Sequence, residues 1–255
     1  MNKNSTFRRN LSGRLRLIAS FVSPGNRLAD IGTDHAYIPV FLAAEGMIPS
    51  AIAMDLREGP LNGAKEHIRE TGVEKKVIVR ISDGMKELKP KEADTVLISG
   101  LGGELLIRIL TEAEETVKSS ISEFILSPHT EWGAVRCFLR ENGFRIQREA
   151  MIREDGKYYT VMAASFRKKE DRDLYAEAGR RGYGIKTCDA FGPYLILKRD
   201  AVLLEYLEKE KKAADRILEG LPKEGERTEK RSEELREYIR QIEEVLFNDV
   251  RGNFN

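Results

Sequence analysis

The residues with chemistry to offer crowd into one short segment, Asp30-Ile31-Gly32-Thr33-Asp34-His35-Ala36. The apolar run "RLADIG" (27–32) meets glycine as a strand does where it turns into a ligand-binding helix. Such turns need small residues so that backbone can approach a cofactor near a helix N-terminus. Gly32 can supply the turn and Ala36 the close helix packing, but the middle small position holds Asp34, with His35 after it. A pyrophosphate would be repelled by a carboxylate placed there. The segment therefore argues against a dinucleotide and for a positively charged ligand without phosphates. S-adenosylmethionine, with its sulfonium and ammonium groups, has that character.

Further acids close the next apolar runs. "SAIAMD" (50–55) ends in Asp55, placed to accept from both hydroxyls of a ribose. "VIVRISD" (77–83) ends in Asp83, placed to accept from an adenine amino group, and Gly84 follows. "ISGLGGEL" (98–105) is a glycine-rich strand-to-helix turn holding Gly100, Gly102 and Gly103. An aspartate closing a strand is commonly just a helix N-cap. The ordered series of acids and glycines says more, because open α/β sheets bind ligands along the carboxyl edge of their strands.

The elements that must hold these residues can be read from periodicity. Strand-like runs at 27–32, 50–55, 77–83, 94–100 and 123–129 alternate with helix-like segments at about 36–46, 59–71, 103–118 and 131–142. This spacing predicts βαβ units and a mostly parallel sheet. Runs at 144–152 and 158–166 follow one another without a helix, and Asp155-Gly156 between them is a hairpin signal. Residues 1–166 are thus expected to form the ligand-binding domain, with 167–255 as a separate arm. In the arm, leucines and isoleucines at helical spacing flank the breakers Gly220, Pro222 and Gly225, which predicts two long helices folded back as an antiparallel hairpin.

Composition narrows the class. The net charge of +1 gives no global pull toward nucleic acid or membrane. No segment approaches the ~20 apolar residues of a membrane span, and the N-terminus lacks the apolar core of a signal peptide. Cys137 and Cys188 show no metal-ligand spacing and read as free thiols. The expectation is a cytoplasmic protein with no metal, acting as a monomer or weak homodimer.

Taken together, "LSGRLRLIASFVSPGNRLADIGTDHAYIPVFLA", "EGPLNGA", "SDGM", "ISGLGGELL" and "EDGKYYTVMAA…FGPYL" resemble the bacterial tRNA (adenine(22)-N1)-methyltransferase family, from about Leu11 to Leu195. The resemblance implies a Rossmann-like class I methyltransferase fold with a C-terminal coiled-coil-like arm, S-adenosylmethionine as cofactor and tRNA as substrate. It also implies that Asp30, Gly32, Asp55, Asp83, Gly84 and Gly100 contact the cofactor, and that Asp34, His35, Gly102 and Gly103 serve the substrate side. Two positions depart from the pattern: Ser127-Pro128-His129 stands where a Gln-Pro-Asn-like segment is usual, and Asp55 where glutamate is as common.

The chemistry thus implied asks little of a base, since adenine N1 has an available lone pair at neutral pH. Holding donor and acceptor in near-attack geometry can supply about 7–11 kcal/mol of the barrier. The product is cationic, so a carboxylate near N1 favours the transition state. Asp34 is the candidate for that role, with His35 orienting it or touching the base. Tyr37, Pro39 and His129 are candidates for packing against a base drawn out of the tRNA, with core packing the alternative for Tyr37 and Pro39. His67 reads as a surface residue. Basic residues concentrate at Lys3, Arg8, Arg9, Arg14, Arg16 and Arg27, opposed by Asp30 alone, and again at Arg167-Lys168-Lys169, as phosphate contacts require. Arg8, Arg9 and Arg14 are the candidate tRNA contacts. Two rival readings are a small-molecule methyltransferase on the same fold and a catalytically silent RNA-binding relative.

Overall fold

The computed structural model describes residues 11–167, 172–222 and 226–248. The chain divides into two compact units, with the boundary between Arg172 and Asp173. Lys168 and Lys169 of the expected basic cluster lie outside the described residues.

The first unit opens with α1 (Gly13–Ala19), whose N-cap Ser12 accepts from Leu15 N at 3.3 Å. There follow β1 (Leu28–Ile31), α2 (Tyr37–Ala44), β2 (Ala51–Asp55), α3 (Glu58–Thr71), β3 (Val77–Ile81) and β4 (Thr95–Ser99). Then come α4 (Gly103–Glu112), α5 (Glu115–Ser120), β5 (Glu123–Ser127), α6 (Trp132–Glu141), β6 (Phe144–Glu154) and β7 (Lys157–Phe166). One seven-stranded sheet results, in the order β3-β2-β1-β4-β5-β7-β6. The first five strands are parallel, and β7 runs antiparallel to both β5 and β6.

The sequence explains this order. β1, β2 and the first four residues of β4 are buried throughout, as strands covered on both faces must be. Their residues meet Ile18, Val40, Leu42, Ala64 and Ile68 from the helices in one apolar core. The β6–β7 turn is closed by Asp155 and Gly156, with φ of 49° and 76°, the two positive values a tight hairpin turn asks for. β6 carries an irregularity between Ile146 and Arg148, where its pairing with β7 shifts by one residue. The buried side chain of Arg136 on α6 donates from Nε to Glu149 Oε1 on β6 at 2.7 Å.

The helix expected at 103–118 is two. Ala113 and Glu114 are extended between α4 and α5, and Lys118 Nζ donates to Leu110 O at 3.1 Å, occupying a carbonyl that a continuous helix would have used.

The second unit contains α7 (Leu174–Arg180), α8 (Ile185–Phe191), α9 (Pro193–Lys198), α10 (Ala201–Gly220) and α11 (Glu226–Phe247). The long pair forms the expected antiparallel hairpin: Tyr238 Oη donates to Glu210 at 3.3 Å, Lys211 pairs with Glu243 at 3.2 Å, and Ala214, Leu235 and Ile239 share a small core. The three short helices ahead of it are additions to the expected arm. Among the described residues, no helix is long and apolar enough to cross a membrane.

Candidate active site

All five parallel strands end on the same edge, and a cavity of about 410 Å³ opens there. β1 and the turn after it supply Asp30, Gly32, Thr33 and Asp34; the end of β2 supplies Asp55 and, just beyond, Arg57. β4 and its turn contribute Ser99, Gly100 and Leu101, the segment after β5 contributes His129, α2 contributes Tyr37, and α1 brings in Arg14. Eight residues expected at the site therefore converge on one cavity: Asp30, Gly32, Asp34, Tyr37, Asp55, Gly100, Arg14 and His129.

Asp30 is the buried end of this set. Its carboxyl is pushed up to about 6, chiefly by burial and further by the charge of Asp55, against the bond it accepts from Thr33 Oγ1 at 2.6 Å. Asp55 accepts from Arg57 N at 2.7 Å, and the Arg57 guanidinium stands 3.5 Å away. Gly32 has φ of 73°, and a Cβ there would come to 3.0 Å from the Leu101 side chain, so the turn needs glycine for both backbone and space.

Asp34 is open to solvent, and its Oδ1 lies 3.4 Å from His35 Nε2. His35 and Ala36 both take left-handed φ, 56° and 53°, ahead of α2. The His35 ring does not line the cavity. It packs at 5.6 Å from Tyr37, whose own ring is 5.1 Å and edge-on to His67. Tyr37 is 41% exposed whereas Pro39 is buried, so the two part company: Tyr37 faces the cavity and Pro39 the core. His67 is half-buried and its Nδ1 meets His35 O at 2.8 Å, which corrects its reading as a plain surface residue.

At the far wall Arg14 Nη1 contacts His129 Nε2, and the Arg14 guanidinium lies 4.9 Å over the Tyr159 ring. His129 N donates to Leu101 O at 2.8 Å, tying the segment after β5 to the glycine turn. Burial, then the charges of Arg14 and Lys157, hold the His129 imidazole below its usual range. A guanidinium only donates, so Nε2 is the acceptor in the contact with Arg14.

Other expected residues stand apart. Asp83 and Gly84 follow β3 but do not line the cavity; Asp83 is bound by Lys86 at 2.5 Å and Arg108 at 3.2 Å, which lower its pKa. Gly102 caps α4, and Gly103 sits against the next loop, where a Cβ would lie 2.8 Å from Thr130 O. Arg8 and Arg9 lie outside the described residues. Among the described residues no group of three or more His, Cys, Asp or Glu is arranged to hold a metal.

Thr33, Arg57 and Leu101 also line the cavity, although nothing in their spacing marks them for it. A second cavity, about 470 Å³, opens at the other end of β5, but its carboxylate is already engaged. Glu123 accepts from Ser23 N and Ser23 Oγ at 2.8 Å each and from Thr95 Oγ1 at 2.7 Å. That cavity is a satisfied structural network, and the acids with room to act face the first one.

Comparison with known proteins agrees with this geometry. A family model described as a methyltransferase domain matches residues 11–162. The chain is 31% identical over 233 residues to the tRNA (adenine(22)-N(1))-methyltransferase of Bacillus subtilis, covering 91% of this chain and 94% of that protein. The crystal structure of the Bacillus subtilis M1A22 tRNA methyltransferase TrmK superimposes with a TM-score of 0.82 at 28% identity, covering 93% of this chain and 99% of that one. Streptococcus pneumoniae Sp1610, in complex with S-adenosyl-L-methionine, gives a TM-score of 0.77 at 30% identity over 92% of this chain and 99% of its own. With sequence, sheet order and cavity in agreement, this chain belongs to the tRNA (adenine(22)-N(1))-methyltransferase family.

Proposed function

We propose that this protein transfers a methyl group from S-adenosylmethionine to N1 of the adenine at position 22, in the D-arm region of tRNA. The observation that carries the reading is the convergence of Asp30, Asp34 and Asp55 on one cavity at the left-handed Gly32 turn. The residues present suit the cofactor: the Asp30, Asp34 and Asp55 carboxylates line the cavity and face a ligand that is cationic at sulfur and nitrogen, beside the left-handed Gly32 turn. Arg14 and Arg57 are the cations of that lining, and we assign Arg14 to a tRNA phosphate.

When bound, the cofactor supplies an electrophilic methyl group. The chain's own residues then do the positioning. Asp55 would accept from the ribose hydroxyls and Asp30 would oppose the donor's ammonium, with Gly100 and Leu101 lining the same cavity. Asp34 opposes the positive charge that spreads over the adenine as N1 gives up its lone pair. Tyr37 offers an exposed ring for the base to stack on. No group has to remove a proton from N1, so the site needs no strong base.

We further assign residues 1–166 to the S-adenosylmethionine-binding methyltransferase domain and 167–255 to a helical arm that serves either tRNA contact or dimerisation, in a cytoplasmic enzyme acting as a monomer or weak homodimer.

The test is direct. Purified protein, labelled S-adenosylmethionine and unmodified bacterial tRNA are combined, and the product is mapped by nuclease digestion and mass spectrometry. A single N1-methyladenosine at position 22 is the expected product. Cofactor binding with no transfer to any tRNA would instead favour a small-molecule acceptor.

A further inference from the structure

α3 carries two residues for which the reaction as described has no use, Gly63 and His67. They are four apart and so share one face of the helix. Its core is held by other positions, the buried Leu61, Ala64 and Ile68. Gly63 and His67 are half-buried and both point at the turn between β1 and α2.

Each meets that turn at a specific place. A Cβ at Gly63 would overlap the His35 imidazole, so the glycine is a notch into which that ring fits. His67 Nδ1 lies 2.8 Å from His35 O. A carbonyl only accepts, so Nδ1 carries the hydrogen in this contact. The His67 ring also stands edge-on to Tyr37 at 5.1 Å.

The turn needs such support. His35 and Ala36 are consecutive left-handed residues, a conformation that side chains other than glycine disfavour and that persists only where the surroundings fix it. Immediately on either side stand Asp34 and Tyr37, both in the cavity wall.

We infer that His67 is a positioning residue for methyl transfer: through His35 O and the Tyr37 ring it fixes the left-handed turn that presents Asp34 and Tyr37 to the target adenine, with Gly63 as the notch that admits His35. The inference rests on the methyltransferase reading above. It assigns the acceptor side of the site to support from α3, while the donor side rests on β1, β2 and β4.

The experiment uses the full chain, with tRNA methylation by the wild-type protein measured first. His67→Ala is expected to lower the single-turnover rate about tenfold or more, because small misplacements at a reacting centre are costly. Its dissociation constant for S-adenosylmethionine, by calorimetry, is expected to stay within about twofold, the donor side being untouched. His67→Asn, which keeps an N–H donor near the position of Nδ1, is expected to recover most of the rate. In unliganded His67→Ala protein, amide hydrogen exchange across residues 33–38 is expected to quicken, a readout that needs no catalysis. Gly63→Ala is expected to be slow as well, because its Cβ displaces the His35 ring from the notch.

The inference is overturned by wild-type rate and wild-type exchange in His67→Ala, or by His67→Asn behaving no better than His67→Ala. It also falls if cofactor affinity drops in step with the rate. If wild-type protein methylates no tRNA, the methyltransferase reading fails first and takes this inference with it.

Discussion

Thr33 Oγ1 donates to Asp30 Oδ2 at 2.6 Å, so the turn after β1 stabilises from within the carboxylate that burial most disfavours. Burial prevails and Asp30 titrates near 6 in the folded protein against 3.8 when unperturbed. The folded chain therefore binds this proton more readily than the unfolded chain does. Stability from this group is fully present below pH 3.8 and is lost as pH rises to about 6, by up to about 3 kcal/mol in the unliganded protein. Asp30→Asn is expected to raise the melting temperature near neutral pH, and to leave less change between pH 4 and 7. The same variant is expected to weaken S-adenosylmethionine binding about tenfold, as loss of a charged partner does. Melting curves across pH together with calorimetric titration check both halves.

Asp34 and Asp55 line one cavity and are expected to fail differently. Asp34→Ala should cut the single-turnover methylation rate about a hundredfold while leaving cofactor affinity within a few-fold. Asp55→Ala should raise the cofactor dissociation constant first. If Asp34→Ala abolishes cofactor binding, Asp34 belongs to the donor side and its assigned role is wrong.

Arg14 stands between His129 and the Tyr159 ring. Arg14→Ala is expected to weaken tRNA binding and to reduce the salt dependence of affinity by about one phosphate contact. Removing its charge is also expected to let the His129 pKa rise, since Arg14 is one of the groups that lower it. Binding measured at several salt concentrations and an NMR titration of the imidazole separate the two effects.

The Arg136–Glu149 pair is almost wholly buried, at 1% and 0% side-chain exposure. Arg136→Met strands a carboxylate in the interior and is expected to destabilise the first unit by about 3–5 kcal/mol. Arg136→Met combined with Glu149→Leu should recover much of that. Urea denaturation of the three proteins measures the difference, and equal midpoints for the single and double variants would refute the account.

Asp30, Gly32, Asp55 and Gly100 are legible in the sequence because a parallel sheet writes itself as buried runs, and each run stops where a turn begins. Arg14 stands out there as a basic residue only, since seven-residue α1 has too few buried positions to register as periodicity. α7, α8 and α9, at six or seven residues each, leave no periodic trace for the same cause. His67 and Leu101 matter through contacts across the fold, with the turn after β1 and with Gly32, and no local pattern encodes a partner that distant in sequence. Asp83 shows the converse: its position at a strand end is plain, but spacing alone does not reveal Lys86 and Arg108, which bind it.

β6 is the last strand of the sheet and, at 11 residues, its longest, so its outer edge is where sheets of two molecules would most easily fuse. The one-residue slip between Ile146 and Arg148 breaks the strand's rhythm part-way along. A strand from another chain, laid in step with one half of β6, would be out of step with the other. The same irregularity that fits β6 to β7 thus makes this edge a poor template for regular strand addition.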